Sequence, residues 1–459
     1  MSYELFVLHF VTFLSARASA GGLGVELLIV DEAQCLCQPS ERRTSVMSLT
    51  ARYRLLLSGT PISHAMSDIF HILDAACPGR LGLLGWWEET VSQPIARARA
   101  DSSARESADV RTALDIVGAA LSKCALRREH ALGSLPELTS LVVVCASSER
   151  QQRIAGVLSQ TEPTMATLHM CASNALHPVL LGHTALPCNS WKRDEKLRGH
   201  AHLLCDASVV PGQDHADGPK ALAIVGLVLA LVAQTPEKIL VFAEHVQVLK
   251  HLIQRVRAQS SGQRWDIELL DSDTPSATMK TQVARINNAE HSQLRVLCVS
   301  LKKGGAGLNL FGASRVILAG ISFNPSLDAQ AIARSWRIGQ TRAVYVYRFV
   351  TRAFADQALY VWQLQKSQLR ASLAVCLPDV VFDSQDIARC CSDPKSAQGD
   401  LDEHLGRPAL VADSLVRADP LLARLLATGG PLAAAMHAVY TAAPEPRVEY
   451  GPSSAYTSI

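Results

Sequence analysis

The sequence predicts an α/β protein whose strands form parallel sheets, and three observations support this prediction. The chain has 459 residues, 48% hydrophobic and 19% charged, a composition typical of globular proteins with about two to four domains. Several short apolar runs, often β-branched, end at polar residues or glycine, and helical patterns lie between many of them. Because polar residues rarely interrupt these runs, we expect strands that are buried on both faces, as in parallel sheets.

The predicted strands follow one another from the start of the chain to about residue 350. They are the runs Leu27–Val30, Arg54–Leu57, Leu141–Cys145, Lys238–Phe242, Arg295–Val299, Arg315–Leu318 and Val344–Val350. Ala96–Val110 is polar with alternating charges, which predicts an exposed helix or an insertion. The residues Pro211–Asp214 mark a boundary between two α/β units. After about Pro378 we expect no more strands, with Ala409–Ala443 helical and Glu445–Ile459 disordered.

The charge distribution is more informative than the formal net charge, which is only +2. The segment Lys238–Arg370 contains 18 lysines and arginines against 8 aspartates and glutamates, so the excess positive charge is concentrated there. Such a segment fits a polyanionic partner, and a solvated basic face is the alternative.

Cysteine, histidine and apolar patterns argue against a disulfide framework, a metal site, a signal peptide and a membrane span. The 12 cysteines are scattered without zinc-ribbon or disulfide spacing, which indicates a reducing compartment. Five possible ligands lie close in sequence, but their spacing disfavours a metal site: His169, Cys171, His177, His183 and Cys188. Two apolar stretches, Leu5–Leu14 and Ala221–Ala233, lack the features of a signal peptide or a membrane span, so we expect both to be buried.

The first candidate site follows an apolar strand that ends in two carboxylates, Asp31 and Glu32. Ligands of open α/β sheets bind at such strand ends, where Asp31 would hold Mg²⁺ and Glu32 would polarise the water that attacks a γ-phosphate. The alternative is a helix N-terminus with acidic residues in its first turn. A second strand leads into Ser58-Gly59-Thr60-Pro61, whose small hydroxyl residues can approach a phosphate or a Mg²⁺-bound water.

The second candidate site begins after the strand that ends at Val299. Lys302 and Lys303 precede a glycine-rich stretch, Gly304–Leu310, whose backbone N–H groups could face an anion. Further along, Gln330, Arg334 and Arg337 are spaced i, i+4 and i+7, which predicts that they share one helix face. Two arginines and an amide on one face suit a triphosphate, and structural arginines on an exposed face are the alternative.

Together these motifs resemble the Swi/Snf-type DNA-dependent ATPases of helicase superfamily two, over roughly residues 1–375. The strings that carry the resemblance are Asp31-Glu32-Ala33-Gln34, Ser58-Gly59-Thr60-Pro61, Gly304–Leu310, Asn324-Pro325 and Gln330–Gln340. Leu126-Arg127-Arg128, followed by Leu135-Pro136, looks like the inter-lobe element of this family. The layout around Leu121–Leu135 is most similar to the recombination-repair branch, the Rad-fifty-four type, and the excision-repair branch is nearly as similar.

The resemblance implies two RecA-like lobes that close on ATP and Mg²⁺ and move along double-stranded DNA. It implies catalytic roles for Asp31, which would hold Mg²⁺, and for Glu32. It also implies that Arg334 and Arg337 are arginine fingers, which stabilise the negative charge of the transition state. The residues that it assigns to the nucleotide are Gln330, Gly305, Gly307, Arg334 and Arg337. The residues that it assigns to DNA coupling are Ser58, Thr60, Lys302, Lys303 and Asn324. A nuclear location, and a recombinase or nucleosome as partner, follow from the same resemblance.

The resemblance also divides the chain into four expected regions. Residues 1–95 are the C-terminal part of lobe one, and residues 96–210 are a helical inter-lobe region. Residues 211–377 are lobe two, and residues 378–459 are an Ala/Leu-rich tail.

The phosphate-binding loop of this family is the main departure. No Gly-x-x-x-x-Gly-Lys-[Ser/Thr] string occurs in the sequence, so we expect a chain that begins partway through lobe one and exposes apolar sheet surface. It follows that ATP turnover by these residues alone is expected to be negligible, whereas DNA binding survives. The leading hypothesis is a DNA translocase in repair or remodelling. The alternative is an inactive DNA-binding or scaffold descendant, and an RNA helicase fits less well.

Overall fold

A computed structural model describes most of the chain, in two compact units. The first unit is drawn from residues 1–130 with 372–381, and the second from residues 131–371 with 382–459. The residues that the structure describes are 3–10, 12, 25–37, 40–58, 67–100, 107–126, 135–161, 164–183, 218–260, 262, 264–288, 293–301, 307–322, 325–352, 355–373, 418–427 and 435–442.

The first unit combines a small parallel sheet with helices. Its elements are α1 (Tyr3–Leu8), β1 (Val25–Val30), a 3₁₀ helix (Ala33–Leu36), α2 (Glu41–Met47), β2 (Ala51–Leu56), α3 (Ser67–Ala76), α4 (Leu84–Trp87), a π-helical turn (Glu88–Ser92), α5 (Gln93–Ala100) and α6 (Ala108–Cys124). Strands β1 and β2 pair in parallel, from Val25 opposite Ala51 to Val30 opposite Leu56. Their carboxyl ends therefore lie side by side, which places residues 31 and 57 at the same edge.

One face of the β1–β2 sheet is apolar and exposed. Its side chains are 43–56% exposed and belong to Leu27, Ile29, Tyr53, Leu55 and Leu57. The opposite face packs against the helices, where Val30, Val46 and Ala75 are buried in one cluster. An exposed apolar sheet face is what the sequence analysis expected. Helix α1 corrects another expectation, because Leu5 and Leu8 are exposed rather than buried.

The second unit contains one large sheet with helices on both faces. Its elements are β3 (Leu138–Cys145), α7 (Glu149–Leu158), α8 (Met165–Leu176), α9 (Leu180–His183), α10 (Pro219–Gln234), β4 (Ile239–Ala243), α11 (Val246–Gln259), β5 (Asp266–Leu270), α12 (Ser276–Asn287), β6 (Leu294–Ser300), β7 (Arg315–Leu318), α13 (Pro325–Ser335), β8 (Val344–Thr351), α14 (Ala355–Leu373), α15 (Pro420–Ala427) and β9 (Met436–Ala442). The strand order is β5-β6-β4-β7-β8-β3-β9, and every pairing except that of β9 is parallel. The chain therefore has the predicted α/β fold with RecA-like, parallel-sheet lobes.

The two faces of this sheet explain the uninterrupted apolar runs in the sequence. Ile239 and Val241 of β4 face a cluster that includes helices α10 and α11, whereas Leu240 and Phe242 face a second cluster on the other side. Because successive side chains of a strand point to opposite faces, a strand covered on both sides needs apolar residues at every position. The run at 221–233 is accordingly a buried helix, α10, as predicted. Among the described residues, no helix is long and apolar enough to cross a membrane.

The C-terminal part of the chain corrects the expectation that strands end near Pro378. Strand β9 pairs antiparallel with β3 and adds an edge to the large sheet, while α15 confirms part of the predicted helical segment. Asp419 fixes this segment, because its fully buried carboxylate accepts hydrogen bonds from Arg315 Nη1 (3.0 Å) and Tyr347 Oη (2.5 Å). Strand β3, which contains the predicted strand Leu141–Cys145, also belongs to the second unit's sheet.

Candidate functional site

The first candidate site lies at the carboxyl end of β1, in the first unit. Asp31 follows the strand directly and is exposed, and its Oδ1 accepts a hydrogen bond from the Glu32 backbone N–H at 3.0 Å. The Asp31 carbonyl accepts a hydrogen bond from the Tyr3 hydroxyl at 2.7 Å. Burial, with smaller contributions from Cys35, Asp31 and Glu32, raises the pKa of Tyr3 to about 12, so Tyr3 is neutral at physiological pH.

Glu32 has an unusual backbone conformation, with φ at 51° and ψ at 50°. It is the non-glycine residue with positive φ among the described residues, and such a conformation costs on the order of 1–3 kcal/mol. Glu32 precedes the 3₁₀ helix, but its side chain forms no capping hydrogen bond with that helix. The alternative reading of Glu32, an acidic residue at a helix N-terminus, therefore has no capping hydrogen bond to support it.

A hydrogen-bonded chain joins the two motifs of the first unit. Gln34 Nε2 donates to Glu32 Oε2 at 2.6 Å, and the Ser58 hydroxyl donates to Gln34 Oε1 at 2.6 Å. Two backbone bonds extend the β1–β2 pairing to this point: Leu57 N–H to Val30 O at 2.8 Å, and Ala33 N–H to Leu57 O at 2.9 Å. The amide of Gln34 thus connects a predicted catalytic carboxylate to a predicted coupling hydroxyl.

Sequence reasoning assigned no role to Gln34, although it stands in the Asp-Glu-Ala-Gln string. The signal was its amide, which offers a donor and an acceptor on one side chain and can therefore link a carboxylate to a hydroxyl. Thr60, the other hydroxyl predicted for DNA coupling in this unit, lies outside the described residues.

The second candidate site lies in the second unit, around helix α13. Gln330 and Arg334 are one turn apart on this helix, and both are half-buried. The Arg334 carbonyl accepts a hydrogen bond from Leu310 N–H at 2.9 Å, which ties the helix to the end of the glycine-rich stretch. Gly307 in that stretch has a φ of 72°, a conformation in which glycine avoids the strain of a side chain.

Arg337 is where the sequence prediction fails in part. Helix α13 ends at Ser335, so Arg337 lies in the following turn and not on a shared helical face with Gln330 and Arg334. Its guanidinium donates to the Leu308 carbonyl at 3.4 Å. Arg337 is therefore held against the glycine-rich stretch, and its reach toward a ligand depends on the turn rather than on helical spacing.

The turn has a definite cause in Gln340 and its neighbours. Gln340 Nε2 donates to the Ala313 carbonyl at 2.8 Å, and the Ser335 hydroxyl donates to the same carbonyl at 2.6 Å. Gly339 has a φ of 103° and lets the chain reverse before Gln340. Gln340 was recognised only as part of a motif string, and its buried amide holds the turn that follows the helix through bonds to the Ala313 and Ser335 carbonyls.

The second unit also joins the motif string to the predicted inter-lobe element. The indole Nε1 of Trp336 donates to the Pro136 carbonyl at 2.8 Å, across 200 residues of sequence. Pro136 belongs to the Leu-Pro pair of that element, whereas Arg127 and Arg128 lie outside the described residues. Four more predicted site residues also lie outside them: Lys302, Lys303, Gly305 and Asn324.

The basic segment, Lys238–Arg370, carries less positive charge on its surface than its number of lysines and arginines suggests. Lys238, Arg255, Arg315 and Arg348 are 4–7% exposed, so their charges are internal. Arg285 is paired with two carboxylates, one of them Asp266 at 2.5 Å. Burial lowers the pKa of Lys238 to about 8, with nearby arginines as further causes. A polyanion would therefore meet the remaining lysines and arginines of this segment.

Comparison with known proteins identifies the family. The model of the SNF2-related domain matches residues 2–177, and that of the helicase conserved C-terminal domain matches residues 220–339. The chain is 25% identical over 397 residues to the DNA repair and recombination protein RAD54B of Gallus gallus, covering 81% of this chain and 42% of that one. It is 28% identical over 405 residues to the protein CHROMATIN REMODELING 25 of Arabidopsis thaliana, covering 81% and 42%. The chain thus spans about two fifths of the length of these relatives.

A solved structure, the C-terminal part of the Fun30 ATPase domain, aligns with a TM-score of 0.42 and 17% identity, covering 57% of this chain and 99% of that one. The two family models match consecutive parts of the chain, in the order that the motifs predicted. The chain therefore belongs to the SNF2-related helicase family, and it is similar to the recombination-repair members of that family.

Proposed function

We propose that this chain supplies parts of an ATP-dependent double-stranded DNA translocase that acts in DNA recombination and repair or in chromatin remodelling. The observation that carries the proposal is the hydrogen-bonded chain Glu32–Gln34–Ser58, which joins two family motifs at one edge of the sheet. The relatives named for DNA repair, recombination and chromatin remodelling support it. In this role the protein acts in the nucleus, on duplex DNA, with a recombinase or a nucleosome as its protein partner.

The proposed roles of the residues follow from their chemistry. ATP with Mg²⁺ supplies the phosphoanhydride bond whose hydrolysis drives the cycle. The exposed carboxylate of Asp31 would hold the ion, and Glu32 would orient the attacking water and accept its proton. In the second unit, Arg334 and Arg337 bind phosphate oxygens and Gln330 orients the nucleotide.

In this scheme Gln34 couples ATP hydrolysis at Glu32 to the contact between Ser58 and DNA. When Glu32 accepts a proton, its Oε2 becomes a weaker acceptor for the Gln34 Nε2 donor. The hydrogen bond that the Ser58 hydroxyl donates to Gln34 Oε1 then changes in strength as well, because both bonds polarise the same amide. Ser58 and Thr60 then change their contact with a DNA phosphate, while Lys302, Lys303 and Asn324 hold the backbone from the second unit. Such contacts are independent of base sequence and weaken with salt.

The sequence itself favours a second candidate for the 459 residues taken alone. Without a loop lysine and its cradle of backbone N–H groups, the β- and γ-phosphates lose their main support, so we expect negligible ATP turnover. A DNA-binding or scaffold role without hydrolysis is then the alternative. The two candidates differ in ATP turnover and agree in DNA binding.

DNA-stimulated ATPase activity tests the proposal. The 459-residue chain is measured beside a form extended by the upstream reading frame, with Glu32→Gln made in each. The translocase proposal expects hydrolysis by the extended form alone, abolished by Glu32→Gln. If neither form hydrolyses ATP while both bind duplex DNA, the translocase proposal is wrong and the scaffold role stands.

The role of Gln34 has its own test in a form that hydrolyses ATP. Gln34→Ala breaks the chain to Ser58 and keeps the Glu32 carboxylate, so we expect basal hydrolysis to persist and DNA stimulation to fall. Arg52→Ala removes an exposed polar side chain of the same sheet and serves as the matched control. Equal stimulation in Gln34→Ala and the control would exclude the coupling route.

A further inference from the structure

A cavity lies at the carboxyl edge of the large sheet, within the second unit. Its volume is about 60 Å³, room for more than one water molecule. Its lining residues come from the ends of neighbouring parallel strands, among them Ala243 after β4, Leu301 after β6 and Ser322 after β7. Ligands of open α/β sheets bind in this position, outside the carboxyl ends of the strands.

Three potential metal ligands meet in this cavity. His169 comes from helix α8, and Glu244 and His245 come from the turn between β4 and α11. The ligand atoms of the three residues all lie within 4.8 Å of one another, and His169 Nε2 is 4.0 Å from Glu244 Oε1. The two imidazole rings meet edge to face, with centroids 4.8 Å apart. Zinc bonds of about 2.0–2.2 Å require the three donors to lie closer together than this, so ion binding would draw them in by side-chain rotation.

The His169 ring supplies an independent reason to look for a ligand. Its Nε2 atom is buried and has no hydrogen-bond partner among the residues that the structure describes. A buried polar nitrogen without a partner is costly, typically by about 1–3 kcal/mol. The same atom points at the Glu244 carboxylate from a distance too long for a hydrogen bond, and a bridging cation would satisfy both groups.

The charges around the cavity are compatible with a cation. Lys220, which also lines it, is neutralised by Asp356 in a buried ion pair of 2.6 Å. Arg348 is 3.9 Å from the buried Asp328 carboxylate. Among the described residues, no lysine or arginine forms an ion pair with Glu244. The local surplus of charge is therefore negative, on the group that would ligate the ion.

We propose that His169, Glu244 and His245 bind one zinc ion, with water in the remaining position. Two imidazole nitrogens and one carboxylate oxygen form a ligand set that zinc uses when it keeps an open position, whereas Mg²⁺ and Ca²⁺ prefer oxygen ligands throughout. The ion ties helix α8 to the start of α11. This site is independent of the ATPase proposal, because none of its ligands belongs to the nucleotide motifs.

The sequence disfavours a metal here only for ligands that are close to one another along the chain. His169 lies 75 positions before Glu244, and only the packing of α8 against the end of β4 brings them together. The other neighbouring candidates, such as Cys171 and His177, are not part of the cluster.

Metal binding by the purified full chain tests the proposal. The protein is prepared with a purification tag that contains no histidine, loaded with ZnCl₂, and its zinc content and affinity are measured against a chromophoric chelator. We expect one zinc per chain. His169→Ala and His245→Ala each remove a direct ligand and should weaken binding by about 100-fold or more, since loss of an outer partner alone costs about 10–100-fold. His9→Ala, an exposed histidine of the first unit, is the matched control and should bind as the unaltered chain does.

Cobalt spectra distinguish this site from adventitious binding. Co²⁺ bound by nitrogen and oxygen shows d–d absorption without a thiolate charge-transfer band, and Glu244→Gln should alter that absorption while the near-isosteric side chain preserves the fold. Circular dichroism checks folding of every variant. Unchanged zinc affinity in both histidine variants, a thiolate band, or no zinc bound by the unaltered chain would each overturn the proposal.

Discussion

The two sheets of this protein are built from similar sequence patterns but have different surroundings. In the first unit, Ile29 and Leu55 are 56% and 47% exposed on one face of a two-stranded sheet. In the second unit, Leu240 and Leu297 occupy comparable positions in apolar runs and are fully buried. An apolar run therefore predicts a strand, whereas the contribution of its side chains to the free energy of unfolding depends on what covers each face of the sheet. The predictions below use matched pairs, one member from each unit, to test that difference.

Removing one partner of an ion pair should give the largest difference in stability loss between the two units. Lys220→Met leaves the Asp356 carboxylate buried without its cation, which should lower the free energy of unfolding by about 3–5 kcal/mol. The matched change in the first unit is Arg52→Ala, whose partner Glu26 is 69% exposed, and there we expect about 0–1 kcal/mol. Urea denaturation of the two variants measures both values. Similar midpoints for the two variants would contradict the contrast.

Truncation of leucines gives the next largest contrast. Leu297→Ala removes a fully buried side chain from the apolar cluster on one face of the large sheet and should cost about 2–5 kcal/mol. Leu55→Ala removes a half-exposed side chain from the open face of β2, and we expect less than about 1 kcal/mol. The second change should also reduce binding of a hydrophobic dye. An equal loss of stability would mean that the open face is covered in solution.

Most of the fold could be predicted from the apolar runs, and the exceptions have physical causes. All seven predicted runs coincide with strands, but β5 and β9 were missed. In β5 the apolar pattern is interrupted by Asp266 and Glu268. Arg285 forms an ion pair with each of them at the edge of the sheet. Strand β9 lies in an alanine-rich segment whose composition favours helix, and pairing with β3 overrides that preference.

The candidate site was less predictable than the fold, because its geometry depends on contacts between distant residues. Asp31 and Glu32 were found from their position after a strand, yet the role of Gln34 required the 2.6 Å bonds on both sides of its amide. Helical spacing predicted a common face for Arg334 and Arg337. The helix ends at Ser335 instead, and the contact of Gln340 with Ala313, which holds the following turn, has no local sequence signal.

Asp328 should give the second unit a pH dependence of intermediate size. Burial raises the pKa of this carboxyl to about 6, with Arg348 opposing the shift. The folded protein then binds a proton more tightly than the unfolded chain, so its contribution to stability is present below about pH 4 and is lost as the pH rises toward 6. The change is on the order of 3 kcal/mol.

Asp328→Asn isolates this contribution. Its side chain does not titrate, so the difference in unfolding free energy between the unaltered protein and this variant should fall as the pH rises from 4 to 6. The exposed Asp31 supplies the first-unit control as Asp31→Asn. A pH-independent difference for Asp328→Asn would show that the buried carboxyl does not titrate in this range.

The smallest expected effect concerns the backbone of Glu32, and its small size is informative. Glycine has no strain at a φ of 51°, so Glu32→Gly relieves a cost of about 1 kcal/mol or more. It also adds flexibility to the unfolded chain, worth about 0.5–1 kcal/mol, and loses the bond from Gln34. These effects nearly cancel, so the urea midpoint should hardly move, whereas Asp31→Gly, at a position without positive φ, should lower stability by about 0.5–1 kcal/mol.

A larger loss for Glu32→Gly than for Asp31→Gly would mean that the bond to Gln34 outweighs the strain. Near-equality with the unaltered protein would mean that the strained glutamate is not required for stability, which leaves its carboxylate chemistry as the reason for its presence.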